Sequence, residues 1–475
     1  MLRITGADHI VIDETTETTG TLALEASGVV VGVDENLTEN HSENHSENHS
    51  ETHSETLDAT GCVVTPGLVN AHHHLLQSAF RTLPGTRGVI MSEWLPMMAA
   101  AYSRAGVDAE LAHAAASIGI AESLLSGVTT VADHHLTWPP GADTVAIARA
   151  TADAARTLGG RLVFVRGSAR DDPQEAAASA EAIVRTLLPE AKAGATRAAA
   201  DLAEKPTTPD TRNATITHHG TSTDGMLQLA VGPAGVHSDG RETFELMAEV
   251  AAKYGLQRRT QANEQVDVAI ALERHGRRPI DLLEEWGWLA PGVTIAHLCD
   301  VTSDEIRRLA ASGITATHAP GCDLPMGWGI TPVAALRAAG IVVGLGTSGG
   351  GSNDAGHLLA DARLAMQVAP LVGPPIPARQ VLAMAMAGSG AGLGRPELGN
   401  LRPGSAADLC VWDVSGAADA GVADPIAGLL WASPGRRPRH VVVAGRIVVR
   451  DYELVTADER ELVETLNTRL KKVSP

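Results

Sequence analysis

Eight short runs rich in β-branched and apolar residues, most followed by a longer segment of helical character, constrain this chain more than any other feature. The runs cover residues 67–72, 128–133, 162–167, 227–232, 256–261, 293–297, 314–318 and 341–346. Stretches between them, such as AELAHAAASIGIAESLLSG and SDEIRRLAASG, have helix-forming composition. Strands that alternate with helices are joined by crossovers and lie parallel, and eight such units close into an α/β fold of the (β/α)8 barrel type. An open doubly wound sheet is the competing arrangement. It ordinarily carries a Gly-rich phosphate turn after its first strand, whereas this first strand runs into His72, His73 and His74.

The two ends of the chain have a different character. Residues 1–61 and 395–475 read as short strands and hairpins, which predicts one small β-sandwich domain built from both termini, with the barrel at 62–394 inserted between its halves. Two segments interrupt the pattern. Residues 39–56 repeat ENHS, with His41, His45, His49 and His53 at four-residue intervals. The reading is a solvated low-complexity loop, with adventitious metal binding as the alternative. Residues 186–225 are Ala-rich and then Pro/Thr/Asn-rich, and read as an insertion carrying His218 and His219 on the surface.

Charge and composition narrow the function. The net charge of −19 argues against nucleic acid and against anionic membrane surfaces. No stretch reaches the roughly 18–20 uninterrupted apolar residues of a membrane span. The N-terminus has neither a basic start nor a long apolar core, so no signal peptide is read. The four cysteines are scattered without zinc or disulfide spacing. A cytoplasmic protein acting on a small molecule is the expectation. Aromatic residues are only 3% of the chain, so its core must be packed with Ala, Leu and Val.

In such a barrel the chemistry sits at the C-terminal ends of the strands. Those ends carry His72–His74, then Asp133, His134 and His135, then Arg166 and Ser168, then Gln261 with Glu264 just beyond, then His297, His318, and Thr347 with Ser348. Alternate residues of a strand face one side. His72 and His74 therefore point into the barrel mouth as a pair of ligands for zinc or iron, and His73 points away as a packing residue. Arg259 shares the face of Gln261. Its guanidinium repels a cation there and attracts a substrate carboxylate or phosphate, with a local register shift that sends it to a carboxylate partner as the alternative. Trp94 and Trp328 roof the mouth and stack on a planar ring, with ordinary packing as the alternative. His135 and Asp133 line the substrate side, or Asp133 orients a neighbouring histidine. GTSGGGSND lacks the Gly-Lys-Ser/Thr ending of a phosphate loop. Asn353 and Asp354 shape that loop and cap the next helix, and Asn353 is also counted among the substrate-side residues.

The segments VTPGLVNAHHH, GVTTVADHH, VTIAHL, DLPMGWGITPVAALRAAGI and VGLGTSGGGSNDAG together resemble the amidohydrolase superfamily, and within it the aminohydrolase and chlorohydrolase branch. The resemblance runs over residues 1–460, apart from the His repeat and the insertion. It implies a barrel flanked by a β-sandwich, commonly as a homodimer. It also implies one divalent metal, zinc with iron as the alternative, and a water that attacks an amidine-like ring carbon and expels ammonia, an amine or chloride. By the same resemblance His72 and His74 are metal ligands and Glu264 is the proton shuttle. His297 orients the water or leaving group and is available as a further ligand.

Two positions depart from the family pattern. Gln261 stands where the family has a ligand histidine, and Ser348 where most members have an aspartate. A neutral amide oxygen is a weak zinc ligand, so metal binding that is weak or absent is part of the expectation. Three functions follow. The first is metal-dependent hydrolysis of a C–N or C–Cl bond on an N-heterocyclic amidine, with Glu264, His297 and Ser348 as the catalytic groups. The second is a non-hydrolytic reaction on a related ring in specialised metabolism. The third is a non-catalytic homologue that binds a ligand.

Overall fold

A computed structural model describes residues 1–34, 55–189, 220–433 and 435–472. The four repeat histidines, His218 and His219 lie outside the described residues.

Two sheets organise the chain. The first draws on both termini. It contains β1 (Leu2–Val11), β2 (Glu17–Leu24), β3 (Val30–Asp34), β4 (Glu55–Asp58) and β5 (Cys62–Pro66) from the N-terminal part. The second consists of β6 (Leu68–His74), β7 (Val128–His135), β8 (Arg161–Ser168), β9 (Leu227–Pro233), β10 (Gln257–Ala262), β11 (Val293–His297), β12 (Thr315–His318), β13 (Val342–Leu345) and β14 (Ser348–Gly349). The C-terminal part returns to the first sheet with β15 (Leu409–Asp413), β16 (His440–Val443), β17 (Arg446–Arg450) and β18 (Glu453–Leu454). Its strand order is β18-β17-β16-β15-β5-β1-β2-β3, with β4 paired to β1.

The second sheet is the (β/α)8 barrel. Its order is β13-β12-β11-β10-β9-β8-β7-β6-β14, and every pairing is parallel. Each of the eight strands read from the sequence is present, with ends moved by one or two residues. The ninth, β14, was not foreseen. It returns to β6 with Ser348 opposite His73 and Gly349 opposite His74. Thr347 N also donates to the His72 carbonyl at 3.1 Å. Gly346 permits this closure, because a Cβ there would stand 2.7 Å from the His72 carbonyl oxygen and 2.8 Å from its Cβ.

Burial explains the composition of the strands. All residues of β6, β7, β8 and β9 are buried, as expected for strands covered on both faces. The surrounding helices follow ordinary rules at their ends. Asp108, Asp143, Asp172 and Thr302 each accept a backbone N–H at a helix start, and Gly159, Gly255, Gly276 and Gly313 end helices in the left-handed region.

The two sheets meet at β5, which pairs with β1 and β15 in the terminal sheet before the chain crosses into β6 at Gly67. Across this junction Arg161, at the start of β8, makes a two-pronged buried ion pair with Asp408 at 2.7 and 2.9 Å. Trp412 is fully buried beside Gly127, and its indole donates to Thr65 Oγ1 at 2.8 Å. Beyond the strand and hairpin material read at 399–414 and 438–455, the C-terminal segment ends in a helix over Glu459–Lys471. Its Arg469 is buried and donates to the carbonyls of Ala105 and Gly106. The charged sequence there is amphipathic at helical period and packs on a neighbouring helix.

Candidate active site

A cavity of about 560 Å³ opens at the C-terminal ends of the barrel strands. Its polar floor includes His74, Asp133, His134, His135, His237, Gln261 and Ser348. The opposite wall is apolar and comes from the helix Met91–Ala105 and the residues after it.

The strand-one histidines behave as alternation requires. His74 faces the cavity, and its Nδ1 lies 2.7 Å from the His134 carbonyl oxygen. The proton therefore sits on Nδ1 and the lone pair on Nε2. His72 lies beneath, with its ring centroid 4.9 Å from that of His74 and its Nε2 buried without a partner. His73 turns the other way onto Thr347 Oγ1 at 2.9 Å. Burial holds all three rings neutral: His73 is pushed down to about 3 and His74 to about 4, and His72 is lowered well below the ordinary value.

His297 is built differently. Its backbone is left-handed at φ 76°, at the end of a strand, so its ring is aimed by the tertiary structure and not by strand geometry. Nδ1 stands 2.6 Å from Asp323 Oδ1, and Nε2 stands 3.0 Å from Gln261 Oε1 and 3.8 Å from Glu264 Oε1. Burial opposes charge on the ring, but the Asp323 carboxylate and its hydrogen bond prevail and raise the pKa. Asp323 is held down to about 2: burial pushes it up, and the charge and hydrogen bond of His297 outweigh that. The pair favours the charged imidazole. Both nitrogens of His297 have partners, Asp323 at Nδ1 and Gln261 at Nε2.

Glu264 follows β10 and is 1% exposed. Neither carboxylate oxygen has a hydrogen-bond partner. Burial raises its pKa, with His297 acting in the opposite direction. Ser348 lines the cavity at φ 52°, another strained strand end.

The remaining sequence candidates divide. Trp94, His135 and Trp328 line the cavity. Trp94 donates to the Gly351 carbonyl at 3.2 Å, and the Trp328 ring stands edge-on to His297 at 5.0 Å. Arg259 and Asn353 are not on its wall. Arg259 is 3% exposed and donates to the Ala71 carbonyl, so it does not meet a substrate anion. Its long side chain runs from β10 across the barrel interior to strand one, below the mouth. Asn353 donates to the Thr347 carbonyl and to Asp361 at 2.9 and 3.0 Å, which shapes the Gly-rich loop from behind. The next helix is capped by His357 and not by Asn353 or Asp354, because Asp354 is drawn to Arg87 and to the Thr82 N–H.

Sequence reasoning missed His237, which lines the cavity 3.2 Å from Asp267, and the pairing of Asp323 with His297. His237 lies in GPAGVHSDG just beyond strand four, and an imidazole near a barrel strand's C-terminal end was signal enough to include it. Asp133 accepts the Leu75 N–H at 2.8 Å, and burial pushes its carboxyl up to about 7.

The donors suit a divalent metal in part. Two imidazoles converge, one with a buried unpartnered nitrogen and one with its tautomer fixed by a carbonyl, and such orphaned groups call for a cation or water. A third strong donor is lacking: among the described residues no three His, Cys, Asp or Glu side chains converge as a ligand set. The neutral oxygen of Gln261 is the nearest supplement.

The amidohydrolase family model matches residues 63–448. The 8-oxoguanine deaminase of Pseudomonas aeruginosa is 31% identical over 416 residues, covering 86% of each chain. Isoxanthopterin deaminase from an unknown prokaryotic organism is 30% identical over 429 residues, covering 86% of this chain and 84% of its own. Among solved structures, atrazine chlorohydrolase TrzN from Arthrobacter aurescens TC1 complexed with zinc superposes with a TM-score of 0.83 at 30% identity. The match covers 99% of this chain and all of that one (100%).

Proposed function

The chain belongs to the amidohydrolase family, and from that premise we propose that it hydrolyses a C–N or C–Cl bond on a planar N-heterocyclic amidine. Its relatives are hydrolytic deaminases and a chlorohydrolase, which supports an enzyme of that type. The observation that carries the reading is the pairing of His72 and His74 beneath the cavity, with Glu264 and its two unpartnered oxygens in the same buried cluster.

In this reading His72 and His74 hold one divalent metal, with Gln261 as a weak oxygen ligand. Zinc is the first choice and iron the second. Such an ion, when bound, lowers the pKa of a water toward about 7. The protein's own groups then manage the protons. Water oxygen bonds to the ring carbon, and the C–N or C–Cl bond breaks. Glu264 takes the water's proton and returns it to a departing amine, whereas chloride leaves without one. Burial raises the proton affinity of Glu264 toward the range that such a shuttle needs. The His297 imidazolium, charged by Asp323, donates to the Gln261 amide and fixes its oxygen. It also stabilises negative charge at Glu264. Ser348 faces the substrate from the strand-eight side as a hydroxyl hydrogen-bond partner.

The cavity also supports a statement about substrate class. The ring lies against His135, Trp94 and Trp328. Met91, Leu95, Met98 and Val107 present a surface suited to an apolar substituent on that ring. A small-molecule substrate and a homodimeric assembly complete the proposal, the latter carried by the family resemblance and checked by light scattering.

One observation supports a second reading, a non-hydrolytic reaction at the same cavity. His297 is tied to Gln261, and no third strong ligand converges among the described residues. The deciding experiment measures zinc and iron per chain by plasma mass spectrometry. The same samples are assayed for ammonia and chloride release from aminated and chlorinated purines, pterins and triazines. Release that needs the metal and the His72/His74 pair supports hydrolysis. No release with metal supplied sinks it and favours the second reading.

A further inference from the structure

Arg259 brings a fixed charge into the barrel interior with no carboxylate to meet it. Burial alone lowers its pKa, to about 10, and no acidic neighbour offsets that burial. One guanidinium nitrogen donates to the Ala71 carbonyl, next to His72 in sequence. Another, Nη1, is buried without a partner among the described residues. An unpaired buried cation is costly.

Two unpartnered imidazole nitrogens share this interior. His134 Nε2 lies 2.9 Å from the Gly232 carbonyl oxygen, which places its proton there and leaves Nδ1 as a buried lone pair without a partner. His72 Nε2 is likewise buried and unpartnered. Both rings lie within the field of the Arg259 charge. The interior thus holds an orphaned N–H donor on a cation together with two orphaned imidazole nitrogens. One of those nitrogens is the atom through which His72 would hold a metal.

We propose that Arg259 sets the metal affinity of this site. Its guanidinium, bonded to the carbonyl of Ala71 next to His72, is a resident positive charge that opposes a divalent ion through charge. The inference rests on the reading that His72 and His74 hold the metal. Its consequence is an enzyme that loads metal weakly and exchangeably because of a residue that is neither a ligand nor on the cavity wall. Gln261 and Ser348 remove negative charge or ligand basicity from the site. Arg259 adds positive charge, and the three changes act in one direction.

The test is the zinc dissociation constant of the full-length chain, measured by competition with a chromophoric chelator. Arg259→Met, Arg259→Gln and Arg259→Lys are compared, and a His72→Ala/His74→Ala chain defines zinc held elsewhere, including by the His repeat. The two neutral variants are expected to bind zinc about tenfold tighter or more, while the lysine variant stays close to the parent. Circular dichroism establishes that each variant is folded. If Arg259→Met is not, Arg259→Gln against Arg259→Lys carries the comparison. Unchanged or weaker binding in the neutral variants overturns the inference, as does equal tightening in the lysine variant. If the parent binds zinc through His72 and His74 and the neutral variants bind it no better, this inference alone falls. If no chain binds above the double-alanine baseline, the metal-hydrolase reading falls with it.

Discussion

His297 and Asp323 form a wholly buried ion pair, Nδ1 to Oδ1 at 2.6 Å, beneath the cavity. The bond favours the charged form of the imidazole that faces Gln261 and Glu264. Because the two pKa values move apart, the pair makes stability depend on pH. His297 is raised above its ordinary 6.5, so its contribution is complete below that pH and is lost as pH rises through the folded value. Asp323 is lowered from 3.8 to about 2, so its contribution is present above 3.8 and is lost as pH falls through 2. Asp323→Asn should therefore lower unfolding free energy most between about pH 4 and 6.5, by about 3–5 kcal/mol. The gap from the parent should narrow as pH rises through the folded value of His297. Urea titrations at pH 5, 7 and 9 measure it, and a gap independent of pH means the pair is not charged.

With Glu264 as the proposed proton shuttle, Glu264→Gln should lower kcat by about 10²–10⁴ and leave KM nearly unchanged, since Glu264 is not on the cavity wall. In the parent, the acid limb of the rate profile should lie above the ordinary glutamate range, because burial raises this carboxyl. Steady-state kinetics from pH 4 to 9 on both proteins decide it. An acid limb at the ordinary glutamate value excludes Glu264 as the titrating group.

Gln261→His should convert the weak site into a three-imidazole one and tighten zinc binding by about 10-fold or more. It also breaks the 3.0 Å bond to His297, so turnover need not rise with affinity. Chelator competition reads the affinity. No gain means that the histidine ring does not reach the His72/His74 pair.

Met98→Ala should raise KM for rings bearing an apolar substituent by about tenfold and leave unsubstituted rings within about twofold. Met98 is 1% exposed and borders the apolar wall. Equal effects on both substrate types indicate a general loss of packing.

Gly67→Ala should destabilise the fold by about 1–3 kcal/mol without altering zinc affinity. A Cβ at 67 would stand 2.3 Å from Thr129 Oγ1, at the crossing between the two sheets. Thermal unfolding with and without zinc separates the two effects.

The barrel was legible because its signals are local. The eight runs, their spacing and the histidines at their ends depend on hydrophobic period and strand alternation, and these also predicted that His72 and His74 share a face while His73 does not. Resemblance added the role of Glu264 and marked Gln261 and Ser348 as departures. The C-terminal helix was not read from the sequence, because its apolar positions are few and its charges many.

Residue identity and strand period by themselves determined the barrel and the cluster of polar residues at the C-terminal ends of its strands. Tertiary structure alone decided who partners whom. Asp323, 26 residues from His297, charges it. Gln261, 36 residues away, occupies its other nitrogen. The Arg259 head ends beside Ala71, 188 residues distant, and not in the cavity. Side-chain reach, left-handed strand ends and the loss of water around buried charge set these pairings. None of them has a period that a linear sequence records, because each depends on which strands close the barrel side by side.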